Sequence, residues 1–467
     1  MTSARARRLE IALVVALFAG GLALRVALAD RNYVFAGSDS YGYLKLADEW
    51  RTHGRYALGP EPEPLYYARP PLYAAFVALV KGGARAEMSG GDGWGRIVRG
   101  QLILDLLTTG LLVWLMARRL AGRAAGLIAL GFAMAWPFTL ITIGAALTEC
   151  VAMALATCSV APLIWISAHD CPDARATPLR RRLAFAVAGA AVGLSVLVRP
   201  DGILLACAFV PAVLLTHTWR ERAIVSSLAL AGFLIAFAPW PARNLARFGR
   251  AYSFGTRVDR KQHPVEHWEG GQHFIAAYGR DWQTYNWFSG CAYEPTCALD
   301  LARFEQGGAV DGPEDRAKLI AVLAERQRSG MTESVSRGFD ELASGWRRRH
   351  PLRAFVWLPL RRAVAMWADD FDEIFQKPPF PRLYARTRGA LPVLSIAFFV
   401  ALCGCSILLW RERKAAAAIL LAAIFGRTAV LAYTFYTVPR YTREVAPLAF
   451  VVIAAGATLA IRRVRAR

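Results

Sequence analysis

Acidic residues are in short supply: 35 Asp and Glu stand against 56 Lys and Arg, a net charge of +21 over 467 residues. An excess of that size ordinarily points to nucleic acid. Here the basic residues fall in clusters between long apolar runs, which is the pattern of membrane topology rather than of a DNA-binding face. Cysteines at metal-ligand spacing are also missing. None of the eight Cys forms a CxxC pair, and Cys150, Cys158, Cys207, Cys403 and Cys405 lie in apolar runs, where the residue behaves as a small hydrophobe. This spacing speaks against a structural zinc site. No internal repeat is visible, and the polar residues of the apolar runs gather at one face, which speaks against a secondary transporter built from related halves. No small-residue cleavage site follows the first apolar run, so that run is expected to be a retained span rather than a signal peptide.

What is present is apolar surface. The chain is 55% hydrophobic and 11% aromatic, with a mean hydropathy of +0.31, more than a soluble domain of ordinary composition carries. A helix needs about 20 mostly apolar residues to cross a bilayer, because every backbone group in lipid must be hydrogen-bonded internally. The expected fold is an all-α polytopic membrane protein with about ten transmembrane helices, near 9–29, 98–117, 124–142, 146–168, 184–198, 200–216, 223–242, 389–410, 415–437 and 443–461. RPDG between the fifth and sixth reads as a tight hairpin tip. Gly189 and Gly193 read as a small-residue packing stripe.

Nineteen Arg and Lys lie in the short connections on one side of this arrangement, against Arg199, Arg440 and Arg443 on the other. The positive-inside rule then places both termini in the cytoplasm, and the two long non-membrane regions outside. The expected organisation is an N-terminal membrane module over 1–242 with an outer loop at 30–97, an extracytoplasmic region with interfacial helices over 243–388, and C-terminal membrane helices over 389–467.

The first outer loop opens with GSDSYGYLKLADEW, residues 37–50. Tyr43, Leu46, Ala47 and Trp50 share one face at helical spacing, which predicts an amphipathic helix able to lie in the membrane interface. Asp39 stands at its start, either as an N-cap or as a base held at the membrane surface. In the second region, His263 and His267 have metal-ligand spacing but Pro264 lies between them, and the stretch around them, dense in Trp, Tyr and His, reads rather as an aromatic surface for a sugar or lipid. No metal site is assigned. Cys291 and Cys297 lie on the oxidising side, where a small disulfide is compatible with the spacing. Residues 351–368, with Arg361 and Arg362 in the middle, read as an interfacial helix.

Ionisable groups at membrane depth default to functional candidates. Several converge on the outer side: Arg69 in ARPPLY, Asp105, Glu149 in ALTECVA, Arg199 and Asp201 in RPDG, Arg243 in PWPARN, and Arg440 and Arg443 in VPRYTRE. For Arg199–Asp201 a local ion pair closing the turn competes, for Arg440 and Arg443 interfacial anchoring, and Arg25 reads as snorkelling. Two carboxylates with several Arg at one face suit deprotonation of a hydroxyl beside a lipid phosphate.

These stretches resemble the C-type, multi-span glycosyltransferases of the protein mannosyltransferase and aminoarabinose transferase superfamily, especially bacterial members. The resemblance rests on GSDSYGYLKLADEW with ARPPLYAAFVALV, LTECVAMALA, LVRPDGILL, APWPARNLARFG and VPRYTREVAPLAFV. It implies transfer of one sugar, with inversion, from a polyprenyl-phosphate donor to an extracytoplasmic lipid, glycan or protein. It further implies Asp39 as general base with Glu149 as a second catalytic acidic residue. Arg243, Arg440, Arg69 and Arg443 would bind the donor phosphate, and Tyr41, Tyr43, Arg199, Asp201 and Tyr441 would line the substrate. Protein mannosyltransferases carry an Asp-Glu pair in the first loop where this chain has Asp39-Ser40, which leaves the acceptor open. No cofactor is required, although Mg²⁺ between carboxylate and phosphate fits the oxygen ligands. The competing readings are a surface-glycan polymerase or ligase using a pyrophosphate-linked donor, and a lipid or solute transporter.

Overall fold

The computed structural model describes residues 3–29, 38–57, 69–84, 91–167, 177–216, 218–249, 269–280, 282–291, 297–368, 389–434 and 440–466. Every regular element among them is helical. They form two compact units, one of residues 1–254, 370–427 and 442–467, the other of 255–369 and 428–441.

The first unit holds most of the long apolar helices. Along the described chain, seven helices are long and apolar enough to cross a membrane: Ala4–Ala27, Asp92–Ala121, Glu149–Ser167, Pro178–Val198, Ala390–Glu412, Lys414–Thr434 and Ala446–Arg465. The pair Trp219–Phe237 and Pro239–Phe248, bent by 47°, makes an eighth if it is one span. The bend falls at Pro239 and Pro241, where the helix loses backbone donors. The other two expected spans are shorter than a crossing needs, so the count of about ten is not confirmed. Trp136 turns extended before Pro137 and ends the helix Arg123–Ala135, as a residue preceding proline tends to. Pro200–Leu214 is likewise a short apolar helix.

Small residues set the close packing of Pro178–Val198 on Trp219–Phe237. A Cβ on Gly189 would lie 2.0 Å from the Ala229 carbonyl oxygen, and one on Gly193 2.6 Å from that of Phe233. The expected small-residue stripe is therefore a helix–helix contact. The last span is buried from Ala446 through Ala455, so the other helices gather around it.

Arg25 does not snorkel. Its guanidinium and the Asp105 carboxylate are both fully buried, 2.7 Å apart. Arg25 also donates to the carbonyls of Ala133 at 2.9 Å and Met134 at 3.0 Å, where the helix Arg123–Ala135 runs out. A buried charge is tolerable when paired and hydrogen-bonded in this way, which water at the interface would otherwise have to supply.

The second unit has an aromatic core of Phe274, Tyr278, Phe288, Phe304, Phe339 and Trp346. Phe274, Tyr278 and Phe288 come from the segment read as an aromatic surface. They face inward because a small helical unit must bury its largest side chains to offset chain entropy. Cys291 and Cys297 are joined as a disulfide, and the buried Arg326 donates to both of their carbonyls. His263 and His267 lie outside the described residues. The helix Leu358–Ala368 and the turn before it expose Leu352, Phe355, Val356, Trp357 and Leu360, an apolar face of the kind an interfacial helix presents. Arg362 points the other way. It is buried and donates to the carbonyls of Ala276, Gly279 and Ala432, and burial lowers its pKa to about 9.

Candidate active site

The first-loop helix runs Ser38–His53 with Asp39 in its first turn. Its predicted apolar face is turned into the protein rather than along the interface. Tyr43 and Ala47 pack with Tyr73, Val77, Trp94 and Ile97 in one buried cluster, which removes more apolar surface from water than a flat interfacial pose would. Asp39, Gly42 and Tyr43 are one helical turn apart and share an edge of that helix.

Arg69 lies across this edge. Its Nη2 is 2.8 Å from Asp39 Oδ1, with the Asp39 side chain 36% exposed and that of Arg69 18%. Its guanidinium stands 4.6 Å over the Tyr43 ring. A Cβ on Gly42 would come within 2.9 Å of Arg69 Nε, so glycine gives the guanidinium its seat. The backbone of Arg69 is pinned, because Tyr56 Oη donates to the carbonyls of Arg69 at 2.9 Å and Pro70 at 3.1 Å. Burial pushes the Tyr43 phenol up against the opposing pull of Arg69, keeping it neutral. Tyr41 is more than half exposed beside it.

The Tyr43 ring meets Tyr73 edge-on at 4.9 Å, and Tyr73 Oη donates to Gln101 at 2.9 Å. Beyond them lies a second charged cluster. Arg199, at the hairpin tip, is 3.3 Å from Glu149, 3.4 Å from Asp201 and 2.9 Å from Glu444. Arg427, with 1% of its side chain exposed, pairs with Asp201 and Glu444 from the far side and donates to the Asp201 carbonyl at 3.2 Å. Five charges from the start of one span, the hairpin tip, the middle of another span and the turn before the last thus form one connected set. The expected Arg199–Asp201 pair is one edge of it. The tip itself needs glycine at its fourth residue, because a Cβ on Gly202 would lie 2.6 Å from the Ser195 carbonyl carbon.

Arg243 stands 4.9 Å over Trp240 and 5.4 Å over Phe248, donating to Asn244 at 3.0 Å. Trp240 packs edge-on against Tyr56 at 5.0 Å, the residue that pins Arg69. Arg243 is thereby tied to the first loop through two aromatic rings. Arg443 is buried in the turn before the last span. Arg440 and Tyr441 fall in the second unit, Tyr441 half-buried.

Arg427 and Glu444 were not among the residues singled out from the sequence. Arg427 is an ionisable residue in the middle of an apolar run, which is itself the signal that finds it. Glu444, by contrast, reads as one more charge in a polar connection.

Residues 68–242 match the family described as dolichyl-phosphate-mannose-protein mannosyltransferase. The match contains Arg69, Glu149, Arg199 and Asp201 and begins after Asp39. No curated protein matches the chain. Among solved structures the chain is similar to the oligosaccharyltransferase of Archaeoglobus fulgidus, solved with a tethered acceptor peptide containing the NVT sequon. That likeness is 15% identical, covers 98% of this chain and 50% of that one, and has a TM-score of 0.51. It is also similar to ArnT from Cupriavidus metallidurans, solved bound to undecaprenyl phosphate, at 16% identity over 99% of this chain and 79% of that one, with a TM-score of 0.41. The family match spans residues 68–242, less than half of the chain, and the likeness to the oligosaccharyltransferase is one of fold.

Proposed function

We propose that the chain moves a single sugar from a polyprenyl-phosphate donor to an extracytoplasmic acceptor by inverting displacement. The observation that carries this reading is the contrast between its carboxylates. Glu149 and Glu444 are buried against Arg199 and Arg427, and Asp105 against Arg25, whereas Asp39 is partly exposed at the edge of the first-loop helix. A general base has to reach the proton it removes. The acceptor hydroxyl attacks the anomeric carbon, its proton passes to Asp39, and the bond from that carbon to the phosphate oxygen breaks with its electrons going to the lipid phosphate.

Arg243 and Arg69 meet the charge that develops on the phosphate, as preorganised cations do in other group transfers, with Arg443 assigned to the same phosphate. Tyr41, Tyr43 and the Arg199–Asp201 tip contact the sugars. The description of the matched family, which names a polyprenyl-type phosphate sugar, supports this donor class. A polyprenyl-linked sugar is also the donor available to an enzyme facing away from nucleotide sugars.

The test is transfer in proteoliposomes with labelled polyprenyl-monophosphate sugars and, in parallel, pyrophosphate-linked glycans, over a crude envelope acceptor. Label is expected to move from the monophosphate panel. Movement from the pyrophosphate donors alone would replace this reading with that of a polymerase or ligase. The proposed orientation has both termini in the cytoplasm and the site outside. A reporter active only in the periplasm is expected to work when fused after residue 300 and to be silent after residue 120. The opposite pattern would invert the topology.

A further inference from the structure

We infer that Arg69 is a positioning residue that holds Asp39 in a resting ion pair and hands it over as a base when the donor's lipid phosphate draws the guanidinium away. The inference rests on Asp39 serving as the base. Three residues spaced one turn apart make the seat: Asp39 pairs with the guanidinium at 2.8 Å, Gly42 leaves room for Nε, and the Tyr43 ring lies beneath it. A carboxylate so paired is a weaker proton acceptor, because the neighbouring cation favours its charged form. The seat therefore works against the base in the enzyme without donor.

The pair is also placed to open. Both side chains retain solvent exposure, Asp39 36% and Arg69 18%, so water and a headgroup can reach each as they separate. The Arg69 backbone is fixed by Tyr56 and followed by Pro70 and Pro71, so the side chain turns while the loop stays. Its planar guanidinium matches phosphate oxygens in bidentate fashion.

Charge flow in the reaction gives the hand-over its direction. As the acceptor proton reaches Asp39, the carboxylate loses its negative charge. As the bond to the anomeric carbon breaks, the lipid phosphate gains one. The attraction of Arg69 thus passes from carboxylate to phosphate along the reaction coordinate. An interaction that strengthens towards the transition state accelerates the step, which uniform donor binding would not.

The test reads the Asp39 carboxyl directly, without turnover. The full-length protein in nanodiscs is treated with a water-soluble carbodiimide and an amine, and amide formation at Asp39 is followed by mass spectrometry. Polyprenyl monophosphate, polyprenol and inorganic phosphate serve as probes. Labelling of the wild type is expected to rise severalfold with polyprenyl monophosphate and to stay at its resting level with polyprenol or inorganic phosphate. Gly42→Ala, which crowds the seat but keeps both charged groups, is expected to raise resting labelling. Arg69→Gln is expected to label fast with or without lipid, and Arg69→Lys to fall between it and the wild type.

Labelling that is flat or lower once polyprenyl monophosphate is bound would overturn the hand-over, as would slow resting labelling of Arg69→Gln. An equal rise with inorganic phosphate would overturn the assignment to a lipid-borne phosphate. Because no sugar moves in this experiment, its outcome is independent of whether the donor panel transfers.

Discussion

Replacing Arg427 with Leu is expected to destabilise the membrane unit by about 3–5 kcal/mol, the range for removing one partner of a buried charge pair. The size follows from what the substitution strands. Arg427 has 1% of its side chain exposed and pairs with both Asp201 and Glu444. Without it, two carboxylates share Arg199, whose charge already faces Glu149 as well. Leucine restores apolar volume but satisfies neither acid. The measurement is the Tm of the detergent-solubilised protein, taken with the double variant Arg427→Leu/Glu444→Leu. The double variant is expected to recover part of the loss, since a stranded charge disappears along with its partner, and the coupling between the two sites reads the pair itself. Equal losses in the single and double variants would mean that packing volume, not charge, holds these helices together at the hairpin tip.

Asp39→Asn is expected to lower transfer turnover by about 10²–10⁴-fold, the usual contribution of a positioned general base, with little change in Tm. The substitution separates the two roles open to this residue. Asp39 is the second residue of the helix Ser38–His53, so asparagine there loses only the favourable dipole contribution of an acidic first turn, about 0.3–1 kcal/mol. It cannot take a proton from an acceptor hydroxyl. Loss of the ion pair to Arg69 is a small stability term at this exposure, about 0–1 kcal/mol. The informative comparison is therefore kcat against Tm in the same preparation. If turnover survives in the folded variant, Asp39 is only an acidic residue of the helix's first turn, and the base must be sought among residues that the reaction itself exposes, with Glu149 first.

Much of the candidate site was legible because chemistry at membrane depth is conspicuous. Asp39, Arg69, Glu149, Arg199 and Asp201 each interrupt or edge an apolar run, and burying such groups is expensive enough that their presence requires a partner or a function. Arg427 carried the same signal. What the pattern could not supply was pairing. Arg199 and Asp201 are two positions apart and read as a local pair, yet their other partners come from residues 149, 427 and 444. Arg25 read as snorkelling because a lone Arg near a helix end can reach water, and only the packed structure shows Asp105 beside it, 80 positions away in the chain.

Local patterns along the chain already dictate the class of fold, the approximate spans, the first-loop helix and the small-residue stripe. Each depends on local composition or on a repeat along the chain, and backbone satisfaction in lipid leaves helices as the only way to realise such runs. Tertiary structure alone decided which apolar runs are too short to count as spans, and that the aromatics of residues 274–288 form a core rather than a surface. It also decided that Asp39 rests against Arg69 while Asp105, Glu149 and Glu444 are locked inside. These depend on contacts between segments distant along the chain, whose energies come from desolvation and pairing in three dimensions and leave no periodic trace in one.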